Sequence, residues 1–319
     1  MLGLFKKSLK KNAQVAVCPD DYAIAVARVR REKDTTPLLE LCDVQPLESV
    51  SLQDAEIARL TRSHHLDDYH CVSTLESGSY SLLLVEAPDV QPDELKAAIR
   101  WRVKDLIDFH IDDAVVDVFE VPDQRTAGRN KMMYAVVART DTVRQRIDQL
   151  LRAGLHLEVI DIPELALRNV TSLLPEDTGG VAFVYIGDDN GIITITRKSI
   201  LYLSRHIEQG TGSLPDTPTL QDDRELIEGW LDNIIIEIQR SLDYYESHFA
   251  HPQVSSLIVA PMNRDIPGVA DYLTSQLGIP ARMLDVNELI DAVEPVAADI
   301  QSRSLVAIGA ALRQEAVAL

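Results

Sequence analysis

The chain has 319 residues, 46% of them hydrophobic, enough to bury the core of one large domain or two medium ones. Its 31 basic residues against 50 acidic ones give a net charge of −19, which argues against nucleic acid, because neutralising phosphates needs a basic face. Cys18, Cys42 and Cys71 are too few and too irregular for a disulfide framework. No apolar run reaches the roughly 18 residues of a membrane span and no cleavable leader opens the sequence, so a reducing, cytoplasmic setting is expected.

In chain order, residues 1–12 carry Lys6, Lys7, Lys10 and Lys11 beside Leu2, Leu4, Phe5 and Leu9, with no acid. That pattern reads as a short amphipathic helix for an anionic membrane surface, or as a frayed tail. A β-meander follows: Val15–Cys18, the turn Pro19-Asp20-Asp21, Tyr22–Arg30, then Leu38–Val44. Gln53–Arg62 has helical periodicity and Tyr80–Glu86 reads as a strand. Pro92, with Asp93 and Glu94 in the first turn, starts a helix whose apolar face is Leu95, Ala98, Ile99, Val103 and Leu106. Trp101 falls about 240° round that helix from Leu95, off the apolar face. It is therefore a candidate anchor for a partner, or else a core contact of Phe109 and Phe119. Val115–Val121 and Met132–Ala138 read as strands separated by a polar loop, Asp123–Asn130. Thr140–Leu151 is a helix and Leu157–Ile162 a strand.

A second meander occupies 180–210. Its strands are Val181–Ile186, Ile193–Thr196 and Ile200–Arg205, joined by the turns Asp188-Asp189-Asn190-Gly191 and Arg197-Lys198-Ser199. After a Gly- and Pro-rich loop, Thr219 and Asp222 form a capping-box-like start to a helix over about 220–249, striped with Ile227, Leu231, Ile234, Ile238, Leu242 and Tyr245. The strand Ser255–Ala260, the helix Val269–Leu277, the strand Arg282–Val286 and a small-residue helix, Ser304–Leu312, complete the chain. The two halves echo each other, each a meander followed by αβ units, with "EVIDIPEL" answering "RMLDVNEL". The first half is longer by roughly 40 residues, the size of an inserted subdomain, placed here at about 88–130. The histidine-rich stretch from His64 to Cys71 lacks an element that would fix metal-ligand spacing and reads as a linker.

Five stretches together resemble PilM, the actin-like family of type IV pilus assembly. They are Glu94–Trp101, Asp161–Ala166, Leu257–Val259, the run Ile266–Val269 with Tyr272-Leu273 and Leu277–Pro280, and Val306–Arg313. The opening Met1–Lys7 is similar as well, and within the family the sequence looks most like the branch serving the mannose-sensitive haemagglutinin (MSHA) pilus. The resemblance implies an α/β, actin-like (ribonuclease H-like) fold of two lobes: 13–177 with the insert, and 178–319 with a final helix, 304–313, packing back on the first lobe. It also implies a cytoplasmic scaffold peripheral to the inner membrane. Such a scaffold would grip the tail of a PilN-like inner-membrane protein through Trp101 and Phe109 and sit near the membrane through Phe5, Lys6, Lys7, Lys10 and Lys11.

A nucleotide cleft is implied too, but its loops are altered. The first phosphate loop, Gly-Ile-Asp-Ile-Gly with a later Val-Lys in the family, reads Ala16-Val17-Cys18-Pro19-Asp20 and Ile24-Ala25. The second, Asp-Ile-Gly-Ala with a later Thr in the family, keeps only the central Gly187, with Asp188, Asp189 and Asn190 crowding the turn before Gly191, and the family's later Gly-Gly becomes Gly210-Thr211. The adenosine motif reads Ala260-Pro261-Met262-Asn263-Arg264, with Met262 expected to fill the nucleotide's space and Gly268 retained beyond it. The expectation is a vestigial cleft at Asp20, Gly187, Asp188, Gly191, Gly210, Met262 and Gly268, with no catalytic residue, no metal and no cofactor. The alternative is an actin-like ATPase that binds ATP and magnesium.

Overall fold

The computed structural model describes residues 9–32, 35–124, 131–214 and 224–314. Strands β1 (Lys10–Pro19), β2 (Ala23–Arg30) and β3 (Leu38–Pro46) form the first meander. After α1 (Gln53–His64), β4 (Tyr69–Thr74) runs parallel to β1, with Val15 opposite Cys71. Next come β5 (Tyr80–Glu86), α2 (Leu95–Val103), β6 (Ala114–Glu120) and β7 (Met132–Arg139). The chain then returns through α3 (Thr140–Arg152) to β8 (His156–Asp161) and α4 (Pro163–Thr171). The second half is β9 (Val181–Ile186), β10 (Gly191–Arg197), β11 (Ile200–Ile207), α5 (Arg224–His248), β12 (Ser256–Val259), α6 (Val269–Leu277), β13 (Ala281–Met283), β14 (Asp291–Ala292) and α7 (Ala298–Ala311).

Three sheets result, ordered β14-β3-β2-β1-β4-β8, β11-β10-β9-β12-β13 and β5-β7-β6. The first two define the lobes. Between them lie α4 and α7, which share one core with Ala16, Ala25 and Ala27 on one side and Phe183, Ile192 and Ile258 on the other. Helices enclosed on both sides need small residues, and α7 supplies Ala307, Gly309, Ala310 and Ala311, all buried. Outside this layer, α1 and α3 cover the first sheet through Ile57, Leu60 and Leu150. On the second sheet, Ile234, Ile238 and Tyr245 of α5 lie against Ile193 and Ile195. Gly278 ends α6 with φ 69°, a left-handed C-cap that favours glycine.

The third sheet is the insert, and it is two-sided. Ile99 and Val103 of α2 cover Val118, Met133, Ala135 and Val137 on one face. The opposite face, Leu82, Leu84, Phe119 and Tyr134, packs into the second lobe's core. Backbone N–H of Ser204 donates to the Tyr134 hydroxyl at 2.9 Å, and the Tyr202 hydroxyl donates to Asp123 at 3.1 Å. The insert thus belongs in sequence to one lobe and in packing to both.

Several boundaries differ from the sequence reading. The insert begins at Tyr80 and ends at Arg139, not 88–130, because β5 and β7 pair with each other and not with the lobe sheet. Strand β1 begins at Lys10, so the basic segment is shorter than 1–12. Lys10 donates to the Tyr69 hydroxyl at 3.2 Å and pairs with Asp68 at 3.3 Å, tied to the lobe. The backbone of Lys11 lies in β1, while Phe5, Lys6, Lys7 and the Thr219–Asp222 cap fall outside the described residues. The last helix starts at Ala298, six residues before the expected start. The strand expected over 282–286 ends at Met283, and Val286 opens a short 3₁₀ turn.

Candidate functional site

Two tight turns, one from each lobe, face each other across a cleft. In the turn between β1 and β2, the Asp20 carboxylate accepts from the backbone N–H of Tyr22 (2.8 Å) and Ala23 (2.7 Å). That is an Asx-type turn closing on itself. Burial raises the Asp20 pKa, opposed by those two amides. The Gln53 side chain, from α1, donates to the Asp20 carbonyl at 2.9 Å and fixes the turn to its lobe.

The opposing turn joins β9 and β10. Gly187 N–H donates to the Asn190 carbonyl (2.8 Å), while Thr211 and Gly212 donate to the carbonyls of Gly187 and Asp188 at 2.9 and 2.7 Å. Gly210 lies so close to the Asp188 and Asp189 backbone that no Cβ would fit, and a Cβ on Gly191 would stand 2.7 Å from the Tyr185 carbonyl oxygen. These glycines serve loop-on-loop packing inside the second lobe. Gly268 is elsewhere, starting α6 with φ 82° and open space beside it.

The cleft has a volume of about 160 Å³ and is lined by Cys18, Asp20, Tyr185, Asp188, Asn263 and Arg303 among others. Pockets for drug-sized ligands run to roughly 300–1,000 Å³. Arg303 of α7 pairs with Asp188 at 3.2 Å, and the Asn263 side-chain amide also donates to Asp188. The Thr211 hydroxyl donates to the Asn263 side-chain oxygen at 2.6 Å. Tyr22 donates its hydroxyl to Asp189 at 2.7 Å, and this bond with the neighbouring carboxylates pushes its pKa up to about 12. Burial pushes the Cys18 thiol up to about 11, so it is no ready metal ligand.

Of the residues expected here, Asp20, Gly187 and Asp188 line the cleft. Met262 does not: it is only 9% exposed and packs in the second lobe's core. Asn263, in the irregular segment after β12, lines the cleft instead. Toward bare phosphate the lining is repulsive, since the acids Asp20, Asp188 and Asp189 line the cleft and its Arg303 is already paired. Arg303 and the Tyr22–Asp189 bond escaped the sequence reading because the partners lie 115 and 167 positions apart.

On the insert, Trp101 is 72% exposed, with the Lys104 ammonium 5.5 Å from its ring centre. It is no core partner of Phe119, whose ring lies tilted against Tyr134 with centroids 5.1 Å apart. Phe109 is instead partly buried against the insert's core, with the Arg139 guanidinium 4.2 Å over it. Leu106 (58% exposed) is a second large apolar side chain in solvent near the end of α2. Strands β5 and β6 form the sheet's edges. At the insert's root the Tyr80 hydroxyl donates to the buried Glu164 at 2.5 Å, and Arg313 pairs with the buried Asp161 at 2.5 Å.

His64 pairs with Asp43 at 2.8 Å and His70 with Glu158, and among the described residues no three potential metal ligands converge. Nor, among them, is any helix long and apolar enough to cross a membrane.

Comparison with solved structures settles the architecture. A structure described as the PilM-PilN type IV pilus biogenesis complex superposes with a TM-score of 0.71 at 18% identity, covering 94% of this chain and 97% of that one. The fold is actin-like. The cytoplasmic domain of EpsL, an inner membrane component of the type II secretion system of Vibrio cholerae, matches with a TM-score of 0.50 at 12% identity, over 95% and 96% of the two chains. The ethanolamine utilization protein EutJ from Carboxydothermus hydrogenoformans gives 0.50 at 12%, over 95% and 90%. Residues 82–217 match the family model described as Type IV pilus assembly protein PilM. No curated protein matches in sequence.

Proposed function

We propose that this chain is a scaffold of a type IV pilus assembly platform that binds the cytoplasmic tail of a PilN-like inner-membrane protein. The observation that carries the reading is where the family match falls. Residues 82–217 span nearly all of the insert, the α3–β8–α4 return and the β9–β11 meander on which the insert sits. The insert offers edge strands for an extended peptide and the exposed Trp101 as an anchor. The finer assignment, to an MshI-like protein of the MSHA pilus at the cytoplasmic face of the inner membrane, rests on the sequence resemblance. So does a membrane-proximal role for Phe5, Lys6 and Lys7.

A synthetic peptide of the PilN-like protein's N-terminal tail, titrated by fluorescence anisotropy, tests this. Saturable binding is expected, weakened at least about tenfold by Trp101→Ala, as for a hot-spot aromatic. No binding to the parent chain would defeat the partner reading, and equal binding to both would remove Trp101 from it. Deleting 88–130 is a poor test, since it takes α2 and β6 out of a sheet that also covers the second lobe. For the branch, tails from an MSHA system and from another type IV pilus are compared, and the MSHA tail should bind tighter.

The cleft is read as having given up nucleotide, supported by the paired Arg303 and the acids at the phosphate positions. Titrating magnesium-ATP to millimolar concentration in a calorimeter should give no saturable heat. A saturable heat would favour the ATP-binding alternative.

A further inference from the structure

The contacts across the cleft join three parts of the fold. Tyr22 belongs to the β1–β2 turn, Asp188 and Asp189 to the β9–β10 turn, and Arg303 to α7 between the sheets. Each turn is held firmly to its own lobe, the first by Gln53 and the second by the loop at Gly210–Gly212. A bond from one turn to the other is therefore a strut between lobes. The Tyr22 hydroxyl makes that bond to Asp189 at 2.7 Å. Beside it, Arg303 reaches Asp188 at 3.2 Å, with its guanidinium 5.9 Å from the centre of the Tyr22 ring. One cation thus answers a carboxylate of the second lobe and an aromatic face of the first.

We propose that this cluster is a built-in latch, which keeps the lobes closed with no nucleotide between them. Tyr22 and Arg303 make the bridge between the two turns, and Asn263 holds Asp188 in place from within the second lobe. Without the bridge, Asp20, Asp188 and Asp189 would face one another with no counter-charge, and their repulsion would open the cleft. The inference rests on the cleft's geometry alone and holds whether or not the partner reading does.

The test is a distance measurement by pulsed electron paramagnetic resonance on the full chain. Spin labels go on Glu48→Cys and Gln276→Cys, exposed positions on the two lobes, with Cys42→Ser to keep labelling selective; Cys18 and Cys71 are buried. The parent should give one narrow distribution that magnesium-ATP leaves in place. Tyr22→Phe, which removes one hydroxyl from a ring 43% exposed, and Arg303→Gln should each broaden and lengthen it. Asp21→Asn, an exposed neighbour outside the latch, should not. Variants that superpose on the parent, a parent that is already broad, or an Asp21→Asn chain that opens as far as the others would each overturn the latch, as would a parent that closes only with ATP. Circular dichroism confirms that each variant is folded. Peptide binding is scored on the same samples, so loss of the latch and loss of the partner reading show up as separate results.

Discussion

Gly309→Ala is expected to destabilise the protein by about 3 kcal/mol, although alanine is the better helix former by roughly 1 kcal/mol. The reason is the crossing of α7 and α4. A Cβ on Gly309 would stand 2.6 Å from the carbonyl carbon of Ala166 and 3.2 Å from its Cα, and closer still to the carbonyl oxygen. All three are backbone atoms of a buried helix, so no side-chain rotation relieves the overlap. The Asn169 amide also donates to the Gly309 carbonyl at 3.0 Å across the same crossing, and separating the helices would stretch that bond. Gly229, in the exposed interior of α5, is the control: nothing lies within 4 Å of its Cβ position. Gly229→Ala should stabilise by up to about 1 kcal/mol through propensity alone. Urea midpoints measured side by side should move in opposite directions, and a Gly309→Ala midpoint at or above the parent's would refute this account of the interlobe layer.

Arg313→Met should cost about 3–5 kcal/mol at neutral pH, the range for breaking a buried pair by removing one partner. Asp161 is 96% buried and accepts from Arg313 at 2.5 Å and from Ile162 N–H at 2.9 Å. Burial already raises its pKa, and Arg313 is the main influence holding it down. Removing Arg313 lifts it further. A carboxyl whose folded pKa exceeds its unfolded one binds its proton preferentially in the native state. The stability it contributes is therefore fully present below the unfolded pKa and lost as pH rises through the folded one. The variant should accordingly lie far below the parent at about pH 8 and close much of that gap as pH falls toward about 5. A gap that does not change with pH would mean that Asp161 is not the group left stranded.

The repeated meanders were legible in sequence because β-branched alternation and Asp/Gly turns are local signals, and the helix α2 because its apolar spacing is regular. What the pattern does not carry is which sheet a strand joins. Tyr80–Glu86 and Met132–Arg139 look like any lobe strands, and only their pairing with each other makes them part of the insert. Lys10 misled for a related reason: a lysine among lysines reads as tail until Tyr69 and Asp68 claim it. In the cleft, the lost loop residues could be read one by one, but their replacements could not. Arg303 sits on a helix chosen for small residues, and nothing local marks it as the cation facing Asp188. Met262 and Asn263 exchange roles through a single step of the backbone, finer than motif alignment resolves.

The seat of the insert on β11 and α5 has a mechanical meaning. A peptide gripped by the insert would hang from a beam with two supports: the strands rooted at Glu164, and the shoulder at Tyr134 and Asp123. Tension along that peptide would be shared between both halves of the molecule as shear over a broad apolar face, instead of peeling one loop away.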